Sequence, residues 1–166
     1  MTPEVLVREL ASIKAFFDRS TRCLTEADSE FAPAPGMWTV AQQVAHAAQT
    51  VDWFVEGAFR PEGFDTDWAR HQEEVGRVRS LTEARAWMDR AFAHASQFLA
   101  ARTPEELGQP LPAGEIMGGA PRFAIVSAIK DHTAHHRGAL TVYSRLLGRV
   151  PDMPYAEAEV PAEATA

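Results

Sequence analysis

One stripe of side chains toward the C-terminal end constrains this chain most. Ile125, Ile129, His132, His136, Leu140, Tyr143 and Leu147 recur every three or four residues. That spacing gathers them on one face of an α-helix, whereas a strand would scatter them over both of its faces. Pro121 precedes the stripe, Gly148 follows it and Pro151 lies just beyond, the punctuation expected at helix ends. His132 and His136 sit inside this otherwise apolar seam, so both are predicted to face the interior.

Three further segments carry the same period. The first runs from about residue 3 to about residue 23, with Leu6, Leu10, Ile13 and Phe17 inward, Thr2 as the expected cap and Pro3 at the first helical position. The second starts at Thr39, where Thr39 and Gln42 make a capping-box pattern. Val40, Val44, Ala47, Val51 and Phe54 trace its apolar face, and Gly57 and Pro61 mark its expected end. The third opens at Ser80 with Glu83 as a second capping box, turns Ala84, Met88, Ala91, Ala95 and Phe98 inward, and stops before Pro104.

The connections read differently. The run Ala32-Pro33-Ala34-Pro35-Gly36 cannot continue a helix. Residues 59–80 read as polar and irregular, with a short helix around 68–78. Residues 104–120 read as a long loop rich in Gly and Pro. With no strand-like alternation, the predicted fold is all-α: a four-helix bundle with long loops over residues 1–155. The Ala-, Glu- and Pro-rich tail, 156–166, is expected to be flexible.

Composition narrows the function. A formal net charge of -7 argues against nucleic acid as the main partner, because phosphate binding needs clustered Lys and Arg. Cys23 is the single cysteine, so no intramolecular disulfide forms. The N-terminal stretch lacks the pattern of a signal peptide, and no apolar run approaches the ~18 residues of a membrane span. A cytoplasmic protein with no membrane partner is the expectation.

The histidines carry the chemistry. His132 and His136 form an H-x-x-x-H pair one helical turn apart on one face. Each buried imidazole has two ring nitrogens that need partners once dehydrated, and a shared divalent metal satisfies one on each ring. His46, among Ala45, Ala47 and Ala48 on the second helix, is the natural third ligand. Three His with open positions is the pattern of a catalytic zinc site. The spacing leaves open the plainer reading of hydrogen-bonded core histidines. His135 lies about 100° around the helix from His136 and belongs at the site's edge. His94 is a weaker candidate, and His71, in polar surroundings, is expected to be solvated. Thr133 stands where a zincin would carry its glutamate, and no nucleophile or general base is evident, so catalytic residues stay unassigned.

The segments Trp38-Thr39-Val40-Ala41-Gln42-Gln43-Val44-Ala45-His46 and His132-Thr133-Ala134-His135-His136-Arg137-Gly138-Ala139-Leu140 resemble the DinB/YfiT-like family of metal-dependent proteins. Leu147-Gly148-Arg149-Val150-Pro151 is similar to that family's helix close. The resemblance spans roughly residues 3–155. It implies an up-down-down-up four-helix bundle, a homodimer, and a metal triad at His46, His132 and His136. It further implies one divalent metal per chain, nickel or zinc, and relatives that use bacillithiol, mycothiol or glutathione as thiol cofactor.

The expected function is therefore that of a divalent-metal-binding protein with a mononuclear three-His site. It would transfer a low-molecular-weight thiol or hydrolyse a small-molecule substrate, with rim groups drawn from 59–80 and 104–120. The alternative is a non-catalytic dimeric bundle whose metal is structural or sensory. Four Trp and nine Phe are more large aromatics than a small core must use, and some are expected at a partner surface.

Overall fold

The computed structural model describes residues 1–155; the tail predicted at 156–166 lies outside the described residues. The named elements are all helical: α1 (Pro3–Thr21), α2 (Val40–Phe59), α3 (Trp68–Gly76), α4 (Leu81–Ala100), α5 (Pro104–Gly108) and α6 (Ile125–Leu146). Four of these are long. α2 packs against α4 and α6, and α1 packs against the same two, so α1 and α2 lie across the core from each other. No described helix is long and apolar enough to cross a membrane.

The predicted stripes make up most of the core; Phe98 and Leu147, expected inward, are only partly buried, and Phe92 and Leu99 take the inner face of α4 instead. Leu6, Leu10, Ile13 and Phe17 of α1, Met88 and Ala95 of α4, and Ile125, Ile129, Leu140 and Tyr143 of α6 are all buried together. Helix ends follow local chemistry, with some departures from expectation. α1 stops at Thr21, before Cys23, where the Thr21 hydroxyl donates back to Phe17 O at 2.9 Å and Leu24 N–H turns onto Thr21 O at 3.0 Å. Thr2 occupies the cap position without a side-chain cap hydrogen bond. At Thr39 both halves of the capping box form, at 3.2 and 3.0 Å. At Ser80 only the serine half forms. There the remaining donors are met from outside the helix: Leu81 N–H donates to Ser29 Oγ at 2.8 Å and Thr82 N–H to Glu26 Oε2 at 2.7 Å.

α2 departs furthest from a simple amphipathic stripe. Of its 20 residues, Gln42, Gln43, Gln49 and Thr50 are buried along with the apolar face. The reason is its central place between α4 and α6, with α3 laid over it: Gln49 Nε2 donates to His71 O at 3.1 Å and to Glu74 Oε2 at 2.7 Å. Gly57 does not end the helix, which continues to Phe59. A Cβ at Gly57 would stand 2.2 Å from a Phe64 ring carbon, so the glycine is there to admit that ring.

The 104–120 connection is more ordered than predicted. Thr103 and Glu106 form a complete capping box that starts α5. Leu111 N–H donates to Ala120 O at 2.7 Å and Arg122 N–H to Gln109 O at 2.9 Å, closing the connection on itself. Pro121 opens a 3-10 turn at Arg122–Ala124, and α6 proper begins one turn later. Gly148, at φ +75°, ends the last turn in the left-handed conformation that suits glycine.

Candidate metal centre and its cavity

α2 supplies His46 and α6 supplies His132 and His136. One ring nitrogen from each comes together with the others, all within 4.8 Å of one another. His132 Nε2 and His136 Nε2 are 3.2 Å apart. Two nitrogens bound at ~2.0–2.1 Å to one tetrahedral ion would stand about 3.3 Å apart, so this pair already has the spacing of shared ligands. His136 is buried, and the other two are half-buried.

A hydrogen-bond chain sets the proton on His136. Tyr143 O–H donates to the Trp38 carbonyl at 3.0 Å, which can only accept. The Tyr143 oxygen must therefore accept from Gln43 Nε2, 3.2 Å away. That orients the Gln43 amide with Oε1 toward His136 Nδ1, at 2.6 Å. His136 thus carries its proton on Nδ1 and presents a bare lone pair at Nε2, the tautomer a metal ligand needs.

His132 Nδ1 is buried without a hydrogen-bond partner. If His132 Nε2–H donates to His136, the Nδ1 lone pair is stranded; if it does not, two lone pairs face each other. Either arrangement is costly in a buried site, and a cation among the three nitrogens removes the repulsion. Protonation state agrees. Burial, reinforced by the neighbouring rings, pushes His136 down to about 3 and His132 to about 4. Burial also lowers His46, against a contact with the Gln49 side chain that raises it. All three are neutral near pH 7, as ligation requires. The donor set therefore fits a divalent ion.

The site opens onto a cavity of about 370 Å³. His46 and His132 line it at one end. Trp38, Trp53, Phe54 and Trp68 form aromatic walls, and Gln49, Thr50, His71 and Gln72 complete it. The Trp38 ring lies 4.3 Å from the His46 ring, centroid to centroid. Trp53 is braced by Phe64 at 4.7 Å, the ring that Gly57 admits.

The remaining histidines separate cleanly. His135 is exposed and beside His136, as expected for an edge residue. His94 is half exposed, 3.6 Å from an Asp52 oxygen and outside the triad. His71 differs from expectation: its side chain is only 15% exposed, its Nε2 is 3.2 Å from Asp65 O, and it lines the cavity. Sequence reasoning missed it because Gln49, on another helix, draws α3 inward. The one local signal was Val75 and Val78, both buried, which anchor that polar segment. The predicted rim is half right: 59–80 contributes Trp68, His71 and Gln72, whereas 104–120 contributes nothing to this lining. Three of the four tryptophans turn to the cavity; Trp87 donates its indole N–H to Asp52 at 3.0 Å.

Helices, triad and cavity define a helical protein with a three-histidine site that could hold a metal. The family model described as the DinB superfamily matches residues 14–140, and the chain belongs to that superfamily. Among solved structures it is similar to a DinB-like protein from Bacillus cereus, at 18% identity and a TM-score of 0.71. The match covers 93% of this chain and 97% of that one, and it establishes the shared fold. No curated protein matches the chain.

Proposed function

We propose that this protein is a divalent-metal-dependent enzyme acting on a small organic molecule. The observation that carries the reading is the convergence of three neutral imidazoles at the end of an aromatic cavity. His46, His132 and His136 would hold one ion, with nickel or zinc the expected choice. Such an ion supplies Lewis-acid chemistry, polarising a substrate oxygen or acidifying a nucleophile such as water or a thiol. The chain's own residues do the rest. Gln43 keeps the His136 lone pair facing inward, Trp38 shields His46, and the cavity admits substrate from the open side. Three protein donors leave room for that substrate.

Hydrolysis fits the lining better than thiol transfer does. The carboxylates of a glutathione-type thiol would meet no Lys or Arg among the lining residues. The structural-metal alternative gains least, because a purely structural ion has no use for an adjoining cavity. Assembly as a homodimer belongs to the same proposal and is tested by sedimentation velocity.

The deciding measurement is elemental mass spectrometry on untagged protein beside a His132→Ala/His136→Ala double variant. The expected result is about one metal per chain, lost in the variant, with helical circular dichroism kept after chelation. No metal in either protein after reloading with zinc and nickel overturns the reading. Collapse of the helices on chelation would favour the structural ion instead.

A further inference from the structure

The cavity walls have little polarity left to offer a ligand. The Trp53 indole N–H is spent on Asp65 O at 2.7 Å. The Gln49 amide donates to His71 O and Glu74, and the Thr50 hydroxyl donates to His46 O at 2.9 Å. His71 Nε2–H faces the Asp65 carbonyl, so that donor is spent too. Apart from the exposed Gln72 amide, what remains is mainly the aromatic surface of Trp38, Trp53, Phe54 and Trp68. Aromatic faces stack on flat rings and gain from excluding water.

Charge narrows the choice. The lining holds no Lys or Arg to receive an anion. Behind Gln49, Trp53 and His71 lies a second cavity where Asp52, Glu56, Asp65 and Glu74 outnumber Arg60 and Arg70. Its net negative field disfavours an anionic ligand on the shared wall. Volume sets the size: an apolar cavity of about 150 Å³ holds a benzene, and this one measures about 370 Å³.

We propose that this cavity selects a neutral, flat aromatic substrate of one or two rings, carrying its reacting polar group at the end that meets His46 and His132. The reacting end rests on the metal-centre reading above, and the ring rests on the cavity alone.

The test uses the zinc-loaded full chain and three ligands with one common head group: acetohydroxamate, benzohydroxamate and para-carboxybenzohydroxamate. Calorimetry should give benzohydroxamate at least about a tenfold advantage over acetohydroxamate, about 1.4 kcal/mol. The para-carboxylate should abolish that advantage. Trp68 is 52% exposed, so Trp68→Ala can be made without opening the core. It should bring benzohydroxamate close to the acetohydroxamate value while zinc stoichiometry stays unchanged. Equal affinities for the first two ligands, or tighter binding of the carboxylate, overturns the proposal. If the chain takes up no zinc, the metal reading fails separately. Benzamide against acetamide on the metal-free chain then decides the cavity by the same criterion: a clear preference for the ring upholds it, and none overturns it.

Discussion

His136 Nδ1 lies 2.6 Å from Gln43 Oε1, and the amide that makes this contact is oriented from the far side by Tyr143. The orientation of one hydroxyl thus decides which nitrogen of a buried imidazole is bare. Tyr143→Phe removes the group that, among the described residues, tells the Gln43 amide which way to point. The amide can then flip and offer Nε2 to His136, which moves the ring proton to Nε2. The expected outcome is a mixture of His136 tautomers in 15N-resolved NMR of the metal-free protein. Zinc affinity should fall on the order of 10–100-fold, the usual cost of losing a supporting partner of a metal ligand. A single Nδ1–H tautomer in the variant would sink this account.

Ligand variants should separate by geometry. His46→Ala, His132→Ala and His136→Ala are each expected to lose stoichiometric metal. His94→Ala should retain it, since its ring lies beside Asp52, away from the triad. His135→Ala should retain it as well, because that side chain is exposed. Equilibrium dialysis against zinc distinguishes the two sets, and retention by His132→Ala would remove it from the site.

The metal-free protein should weaken in mild acid. His136 has its folded-state value lowered from 6.5 to about 3, and His132 from 6.5 to about 4. Between these limits the unfolded chain binds more protons than the folded one, so stability rises with pH across the window. It is fully present above 6.5 and is lost as pH falls toward 4 and then 3. Urea midpoints should therefore drop between pH 6.5 and pH 4. The drop should be shallower in His136→Gln, and an identical slope in the variant would assign the acid loss to other groups.

Gly57→Ala tests the close contact beneath the cavity wall. The new methyl would fall 2.2 Å from the Phe64 ring, which also braces Trp53 and Phe54. Overpacking of this kind costs roughly 1–3 kcal/mol, against the ~1 kcal/mol that alanine normally gains over glycine in a helix. A lower melting temperature and altered tryptophan fluorescence are expected. A stabilised variant would mean that Phe64 is free to move aside.

Much of this protein can be read from local pattern alone. Apolar residues at helical spacing marked the four long helices, and the Thr39/Gln42 capping box located the start of α2 to the residue. Two histidines inside the α6 seam pointed inward by periodicity, and His46 was reached by its place on a core-facing helix. These inferences need only a residue's own neighbours one turn away.

Other features depend on what a distant segment brings. Gly57 looked like a helix end, and only the approach of Phe64 explains its presence inside α2. His71 looked solvated until Gln49 drew α3 over α2. The bare nitrogen of His136 depends on Trp38 and Gln43 around the start of α2 and on Tyr143 near the end of α6, two parts of the chain about a hundred residues apart. Helical periodicity is a short-range consequence of backbone geometry, so the sequence alone determined the helices and their inward faces. The tautomer, the aromatic cavity and the spacing of the three imidazoles arise from side chains far apart in sequence, so only tertiary packing decided them.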